Sequence, residues 1–359
     1  MQFLFFTKTM WHEMPRIRHQ LARLLCKNQH DVFFVQKPCF FWERPKCAFK
    51  KEGIKFFQFK QLIHHQLRIA SILRCFNSLY EIIQIRNCFS NIDKDTVIIN
   101  FNYDYYFLKK IFPSNKIITI LNDDFVSQCR LPFNHHMQHA LENTCLSSDI
   151  VLTTSESLKK KLKKHTTSRL FFPWSSSTYN FIKDKLRTKV LVWGYITERY
   201  DFDLISNLIG ENQHIIFYIV GETNKNCRKI LHHLTIKHKN IVIKGPTNLF
   251  DLPMSEFCAS LTAFKKGVDE IESITITNKA FQLLSYGIPL VVHGMPNFIK
   301  NPAIFVCNDQ KMINKSIQYC HQNIEQLQRY IFPLVIKNSE NNRLTEFMKI
   351  INKPNIKAL

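Results

Sequence analysis

Residues 273–292, SITITNKAFQLLSYGIPLVV, carry the signals for a helix, its end and a buried strand in succession. Thr275 or Thr277 can cap the start of the helix, because a hydroxyl there accepts a hydrogen bond from a free backbone N–H. Gly287 can adopt the left-handed conformation that ends a helix. The run 288–292 is apolar on both faces, which is typical of a strand in a covered parallel sheet.

The start of this predicted helix is a candidate phosphate site. An apolar strand is predicted at 259–264, and the connection that follows this strand leads to the first turn of the helix. A helix start presents free N–H groups and a positive dipole, and Lys279 adds a positive charge in the first turn. These features together favour the binding of an anionic group such as a phosphate.

Apolar runs and helical patterns alternate along the rest of the chain. In the first half, strands are predicted at 2–6, 31–36, 54–58, 96–101, 116–121 and 150–153, with helices at 16–25, 63–89 and 132–145 and a lysine-rich helix after residue 155. In the second half, strands are predicted at 189–193, 215–220, 241–244, 258–264, 288–292 and 303–307, before a helical tail at 314–351. Repeated βαβ units predict an α/β protein with two parallel sheets.

The length of 359 residues is sufficient for two domains, each with its own core. The segment 166–187 is polar and aromatic and contains Ser175-Ser176-Ser177, so it is interpreted as the link between them. We expect an N-terminal domain at 1–175, a C-terminal domain at 186–335 and a final helical segment at 336–359.

Three of the eight glycines, Gly194, Gly221 and Gly245, directly follow predicted strands of the second half. The ligand crevice of an open parallel sheet lies at the carboxyl ends of its strands, where a missing Cβ lets backbone approach a ligand. The alternative is that the turn geometry alone requires glycine. The first strand is not followed by Gly-x-Gly-x-x-Gly, which argues against a dinucleotide site in the first domain.

The net charge of +21 leaves three interpretations open: a solvated basic surface, contact with an anionic membrane, or nucleic-acid binding. The densest run of lysines, 159–164, lies in a predicted helix, and the chain has no recognisable nucleic-acid motif, so nucleic acid is not the expected partner. The apolar content of 45% excludes wholesale disorder.

Eleven cysteines without regular spacing favour free thiols in a reducing compartment. The apolar start at 1–6 is too short for a signal peptide, and no apolar run is long enough for a spanning helix. The expected location is therefore the cytoplasm. The positive charge suggests additional peripheral contact with the inner face of the membrane.

The segment that contains Thr277, Asn278, Lys279 and Gln282 resembles the donor site of GT-B glycosyltransferases, especially the family 4-like group. In that family, the helix start and its lysine hold the diphosphate of a nucleotide sugar. The family usually has a glutamate, which contacts the donor ribose, where this chain has Gln282. An amide can still hydrogen-bond a hydroxyl, but more weakly than a carboxylate.

Two further segments are similar to the donor domain of the same family. Gly194-Tyr-Ile-Thr-Glu-Arg-Tyr-Asp201 resembles a loop whose basic residue, here Arg199, approaches the diphosphate. The alternative for Arg199 is a surface ion pair with Asp201 or Asp203. Lys265 follows a predicted strand end and is a second candidate for this cleft, and Gly245-Pro resembles a segment near the nucleotide base.

On the acceptor side, the segment 11–22 resembles the family's loop and opening helix after the first strand, and His12 is its catalytic candidate. Arg16, Arg18, His19 and Gln20 are further candidates for acceptor or phosphate contacts. Asp123 and Asp124 follow an apolar strand and resemble a family motif that faces the sugar or acceptor. The alternative for this pair is a helix cap.

The resemblance implies a GT-B fold, with two Rossmann-like domains facing a central cleft and a C-terminal helix crossing back. It also implies metal-independent, retaining transfer from a nucleotide-sugar donor to a glycan or lipid-linked acceptor in cell-surface polysaccharide synthesis, without a further cofactor. Two alternatives stay open: a nucleotide-sugar epimerase of GT-B fold, and a basic non-catalytic binding protein with a degenerate donor site.

Overall fold

The computed structural model describes residues 1–13, 16–45, 49–63, 71–127, 134–164, 166–175 and 187–352. The chain divides into two compact units: Met1–Phe172 together with Leu344–Leu359, and Pro173–Arg343.

The first unit is built on a parallel sheet. Its strands are β1 (Gln2–Phe6), β2 (Asp31–Val35), β3 (Cys39–Phe40), β4 (Phe49–Lys51), β5 (Ile54–Phe57), β6 (Lys60–Gln61), β7 (Val97–Asn100), β8 (Ile117–Leu121), β9 (Ile150–Thr153) and β10 (Ser168–Leu170). Its helices are α1 (Ile17–Lys27), α2 (Ser71–Phe89), α3 (Leu108–Ile111), α4 (Asn134–Leu146) and α5 (Glu156–Leu162).

Within the described residues, eight of these strands form one sheet in the order β10-β9-β8-β7-β1-β2-β5-β4. Each neighbouring pair is parallel except β4 and β5, which are antiparallel. β3 and β6 pair separately, next to the carboxyl ends of β2 and β5. The strand order reverses between β1 and β7, which is the kind of place where open parallel sheets bind ligands.

The second unit contains the strands β11 (Lys189–Trp193), β12 (Ile216–Val220), β13 (Ile241–Lys244), β14 (Phe257–Ala263), β15 (Leu290–His293) and β16 (Ile304–Cys307). Its helices are α6 (Phe202–Glu211), α7 (Lys225–Lys237), α8 (Asp269–Glu272), α9 (Asn278–Ser285), α10 (Gln310–Gln322) and α11 (Ile324–Lys337), and α12 (Glu340–Asn352) follows. The sheet order β13-β12-β11-β14-β15-β16 is the 3-2-1-4-5-6 order of a Rossmann sheet.

The last helix contributes to the core of the first unit. Phe347 of α12 packs against Phe3 of β1 and Phe171, with ring centroids 6.4 and 5.4 Å apart. Lys116 donates a hydrogen bond of 2.6 Å to the carbonyl oxygen of Ile351. These contacts hold α12 against the first unit.

Several predicted elements need correction. The predicted link at 166–187 was wrong at its start, because Ser168–Leu170 forms β10, an edge strand parallel to β9. The rest of that link at 176–186, and the starts of the helices predicted from 63 and 132, include residues outside the described ranges. The short strands β3, β4 and β6 were not predicted, because a strand of two or three residues has no clear periodic pattern.

Among the described residues, none of the helices combines the length and apolar character that crossing a bilayer requires. The nine cysteines within those residues are free thiols. Burial raises the pKa of Cys145 and of Cys258 to about 12, so both are protonated at neutral pH.

Candidate functional site

The candidate donor site lies where the strand order of the second unit reverses, between β11 and β14. These two strands are hydrogen-bonded neighbours. β11 ends at Trp193 and is followed by Gly194, and β14 ends at Ala263 and is followed by Phe264. An open parallel sheet forms a crevice outside the strand ends at such a reversal, so the segments after these strands are placed to contact a ligand.

Two glycines allow the backbone segments after β11 and β12 to approach each other closely. Gly194 has a φ of +127° and Gly221, which follows β12, has a φ of +153°. The N–H of Gly194 donates to the Val220 carbonyl at 3.0 Å, and a Cβ on Gly221 would lie only 1.6 Å from the carbonyl oxygen of Gly194. Both positions therefore require glycine for steric and conformational reasons.

The side chain of Lys279 extends from α9 to the end of β11. A Cβ on Gly194 would lie 3.1 Å from Lys279 Cδ and 3.3 Å from its Nζ, so the lysine covers the glycine. Lys279 Nζ donates to the hydroxyl oxygen of Tyr200 at 3.3 Å. Tyr200 is only 1% exposed, and its ring packs against Phe264 with centroids 4.7 Å apart. A buried hydroxyl thus fixes the position of a half-buried ammonium group.

The start of α9 is capped by Thr277, whose Oγ1 accepts a hydrogen bond of 3.1 Å from the N–H of Ala280. The prediction that a threonine caps this helix is confirmed, with Thr277 rather than Thr275 in that role. Asn278 and Lys279 form the first turn and are half-buried. Gln282 is also half-buried and lies one turn after Lys279 on the same side of the helix.

Arg199 is engaged in an ion pair that the sequence did not indicate. Its Nη2 lies 2.6 Å from Oε1 of Glu270 in α8, with the arginine side chain 51% and the glutamate 16% exposed. Asp201, a partner proposed from the sequence, caps α6 instead. The carbonyl of Arg199 accepts a hydrogen bond of 2.8 Å from the N–H of Lys265, which joins this loop to the end of β14.

Lys265 and Gly245 are both exposed. The pKa of Glu198 is lowered mainly by a hydrogen bond to its own backbone, and further by a hydrogen bond from Asn224 and by the charge of Lys265. A Cβ on Gly245 would meet nothing within 4 Å. The structure therefore gives no steric reason for glycine at 245, in contrast to Gly194.

The site residues predicted on the first unit follow β1 and β8. Asp124 is 6% exposed and accepts hydrogen bonds from the N–H and Oγ of Ser127 at 3.2 and 2.9 Å. Lys161 of α5 lies 2.5 Å from Asp124 Oδ2. Burial acts to raise the pKa of Asp124, but the hydrogen bonds from Lys161 and Ser127 outweigh burial and the pKa is lowered. Asp124 is thus an ionised carboxylate held in a turn.

Asp123 lies beside a buried arginine. Arg18 is 4% exposed and donates to Thr9 Oγ1 and to Asn122 Oδ1, the latter at 3.2 Å. Burial lowers the pKa of Arg18 to about 10; Arg16 lowers it further, while the charge of Asp123 opposes both effects. Asp123 itself is half-buried and accepts a hydrogen bond from the amide of Asn122. These contacts form a polar cluster at the carboxyl ends of β1 and β8.

The two histidines near α1 have different environments. His12 is exposed in the turn that precedes the helix. His19 is fully buried: its Nδ1 accepts from the N–H of Arg16 at 3.0 Å and its Nε2 lies 3.2 Å from the Met10 carbonyl oxygen, which can only accept. Burial lowers the pKa of His19 to about 4, so its ring is neutral at pH 7. Of the two, His12 is the one that a substrate can reach.

A buried ion pair at the carboxyl ends of two central strands of the first sheet was not predicted from the sequence. Lys8 Nζ lies 2.5 Å from Asp104 Oδ1, with side chains 11% and 5% exposed, and 4.6 Å from the centre of the Tyr103 ring. Lys8 follows β1 and Asp104 follows β7, which are adjacent strands. The two residues are distant in sequence, so only the strand order could have indicated their contact.

The structure places the predicted site residues on the two units in the following way. Gly194, Arg199, Lys265 and Lys279 gather around the ends of β11 and β14, at the start of α9. Asp123, Asp124 and His12 lie on the other unit. The contact of Tyr200 with Lys279 and the contact of Glu270 with Arg199 were not predicted from the sequence.

No protein-family model matches the chain, and no curated protein matches it. Solved structures do match it over nearly its whole length. HepE of Anabaena, in complex with UDP and glucose, has 8% identity and a TM-score of 0.69 over 98% of this chain and 99% of its own. A glycosyltransferase from Rickettsia africae has 12% identity and a TM-score of 0.67 over 97% of both chains.

WaaG, a glycosyltransferase involved in lipopolysaccharide biosynthesis, has 10% identity and a TM-score of 0.63 over 99% of this chain and 100% of its own. At these identities, the likeness establishes the fold alone, and a reaction has to be argued from the residues of the site. The sheet orders of both units agree with it. The predicted fold class is confirmed: the chain has the GT-B fold of glycosyltransferases, with two Rossmann-like domains.

Proposed function

We propose that the protein is a glycosyltransferase that moves a sugar from a nucleotide-sugar donor to a glycan or lipid-linked acceptor. The observation that carries this proposal is the ammonium group of Lys279, which lies over Gly194 at the reversal of strand order and beside the capped start of α9. A cation, a helix start and a close glycine backbone together suit a diphosphate.

In the proposed reaction, the developing charge on the leaving nucleoside diphosphate is neutralised by Lys279 and by the N–H groups of the first turn of α9. Arg199 and Lys265 add positive charge from the neighbouring loops. In this arrangement, phosphate oxygens compete with the Glu270 carboxylate for the N–H groups of the Arg199 guanidinium. Gln282, one turn along α9, is placed to hydrogen-bond the ribose.

These cationic groups stabilise the leaving group without a metal ion, so the proposed transfer is metal-independent and needs no further cofactor. Retention of the anomeric configuration is proposed with it, by resemblance to the family 4-like enzymes. The backbone segment around Gly245 and Thr247 is the proposed contact for the base; it is tied to β11 by the indole N–H of Trp193, which donates to the Thr247 carbonyl at 3.2 Å.

The first unit supplies the proposed acceptor site. Asp123 and His12 are the residues proposed to orient or deprotonate an acceptor hydroxyl; Asp123 is half-buried beside Arg18, and His12 is exposed. Asp124 is proposed to support this site indirectly, because its carboxylate is already occupied by Lys161 and Ser127. A role in cell-surface polysaccharide synthesis is supported by the likeness to WaaG.

The experiment is a turnover assay with a panel of UDP-, GDP-, ADP- and CMP-sugars, with and without a lipid extract as the source of acceptor. We expect nucleotide release with one donor, dependent on the extract, and its loss in Lys279→Ala. Conversion of the donor sugar without an acceptor would instead indicate an epimerase. Absence of turnover with every donor, together with no heat of binding when the same panel is titrated by calorimetry, would indicate the non-catalytic alternative.

A further inference from the structure

Five large apolar side chains of the first unit are exposed in two neighbouring segments. They are Phe41 (51% exposed), Trp42 (65%), Phe76 (62%), Leu79 (56%) and Ile83 (50%). The first two follow β3, and the other three lie on α2. We call these five residues the aromatic face.

Hydrogen bonds join both segments to β6 and the two residues that follow it. The N–H of Phe41 donates to the carbonyl of Gln61 in β6 at 3.0 Å. On the other side, Oδ1 of Asn77 in α2 accepts from the N–H groups of Leu62 and Ile63 at 2.8 and 3.1 Å. Both segments of the aromatic face are therefore tied to the same short strand and its continuation within one unit.

The exposed stripe on α2 is additional to the side of the helix that packs on the core. Ile85 and Phe89 of α2 are buried in the cluster that contains Phe6. Phe76, Leu79 and Ile83 have the spacing i, i+3 and i+7, which places them on one side of a helix. An apolar stripe that faces solvent is a typical binding surface.

Positive charge flanks the aromatic face. Arg44 lies two residues after Trp42 and is exposed, and Arg86 lies one turn after Ile83 and is exposed. The neighbouring acid Glu43 accepts a hydrogen bond of 2.6 Å from the backbone N–H of Phe40, so its charge is directed back to its own turn. The chain as a whole carries a net charge of +21.

We propose that the aromatic face docks the protein on the surface of an anionic bilayer. Tryptophan and phenylalanine insert at the boundary between headgroups and acyl chains, while flanking arginines attract anionic lipids. This combination of apolar area with positive charge provides the two signals that stable peripheral binding needs. The proposal does not rest on the proposed glycosyl transfer.

Sedimentation of the full chain with lipid vesicles, without any donor, tests the proposal. Vesicles of phosphatidylcholine alone are compared with vesicles in which about a third of the lipid is phosphatidylglycerol. We expect binding to the anionic vesicles, and a fall of about tenfold in the partition coefficient for Phe76→Ser/Leu79→Ser and for Trp42→Ser. Circular dichroism verifies that each variant is folded.

The matched control is Ile236→Ser/Phe250→Ser, which removes two apolar side chains of the second unit that are 72% and 73% exposed. This control should bind vesicles like the unsubstituted chain. A second control, Lys160→Glu/Lys164→Glu, changes two exposed lysines in and just after α5. If only that variant loses binding, the lysine-rich segment docks and the proposal is wrong.

Two further results would overturn the proposal. One is equal binding of the aromatic-face variants and the unsubstituted chain. The other is failure of the unsubstituted chain to bind vesicles, together with self-association that the same variants abolish in sedimentation velocity; the face would then be a contact between copies of the protein.

Discussion

At the scale of single residues, the hydroxyl of Tyr200 determines where the charge of Lys279 lies. Tyr200→Phe keeps the buried ring and its contact with Phe264 but removes the hydrogen-bond acceptor. We expect donor binding to weaken by about 0.5–1.5 kcal/mol, the net value of one hydrogen bond. Calorimetric titration with the donor measures this change. Tyr195→Phe, an exposed tyrosine of the same loop, is the control and should leave the affinity unchanged.

The ion pair between Arg199 and Glu270 sets a second prediction at this scale. Since Glu270 occupies the guanidinium in the structure, Glu270→Gln should release Arg199 for the diphosphate. An exposed ion pair is worth about 0.2–1 kcal/mol, so the donor affinity should rise by about 1.4- to fivefold. Arg199→Ala should lower it. A fall in affinity for Glu270→Gln, measured by the same titration, would show that the glutamate itself contacts the donor.

The buried ring of His19 predicts a pH dependence of stability. Its pKa is about 4 in the folded protein against 6.5 ordinarily, because burial disfavours the charged form. Below pH 6.5 the unfolded chain therefore binds a proton that the folded chain does not, and the free energy of unfolding falls until about pH 4. The loss is up to about 3 kcal/mol.

Urea titrations at pH 7 and pH 5 measure this loss. His19→Gln should reduce the difference between the two pH values, whereas His12→Gln, at an exposed position, should not. An unchanged difference in His19→Gln would mean that another group causes the dependence.

At the scale of elements, the cap of α9 stabilises a helix whose start belongs to the candidate donor site. Thr277→Val removes the oxygen that accepts from the N–H of Ala280, and we expect a loss of about 1 kcal/mol in the free energy of unfolding. Thr277→Ser keeps the cap and should retain most of that stability. Urea titration compares the two variants. A loss in Thr277→Ser with no loss in Thr277→Val would show that the methyl group, and not the cap, stabilises the helix.

Most long elements could be predicted from the sequence, because each has a continuous apolar run and a clear stop. β9, β11 and β13 have the bounds that their apolar runs predicted. The choice between Thr275 and Thr277 as cap could not be predicted, because it depends on tertiary contacts. The carbonyl of Thr275 accepts a hydrogen bond of 2.7 Å from the N–H of Ile299.

The site was predictable only in part. Lys279 and Gly194 were identified from local patterns, and the structure places them in contact. The partner of Arg199 could not be predicted, since the sequence offered only the nearby Asp201 and Asp203, whereas Glu270 arrives from α8. Side-chain partners that come from different elements leave no local signal in a single sequence.

At the scale of the whole molecule, the chain contains two sheets of Rossmann order. Different charged side chains lie near the reversal of strand order in each sheet. The second sheet has Lys279 and Arg199 near its reversal, and the first has Arg18, Lys8 and Asp104 near its own. We interpret the group on the second sheet as the proposed donor site and the group on the first sheet as part of the proposed acceptor site. The division of the chain into two units gives each site its own sheet.

Calorimetric titration of the chain and of Lys279→Ala with the nucleotide sugar found in the turnover assay tests the central claim most directly. We predict that the substitution weakens binding by about 1–3 kcal/mol, the value of a charged hydrogen bond. Lys266→Ala, an exposed lysine outside the proposed contacts, should bind like the unsubstituted chain. An unchanged dissociation constant in Lys279→Ala would contradict the claim that this ammonium group holds the diphosphate.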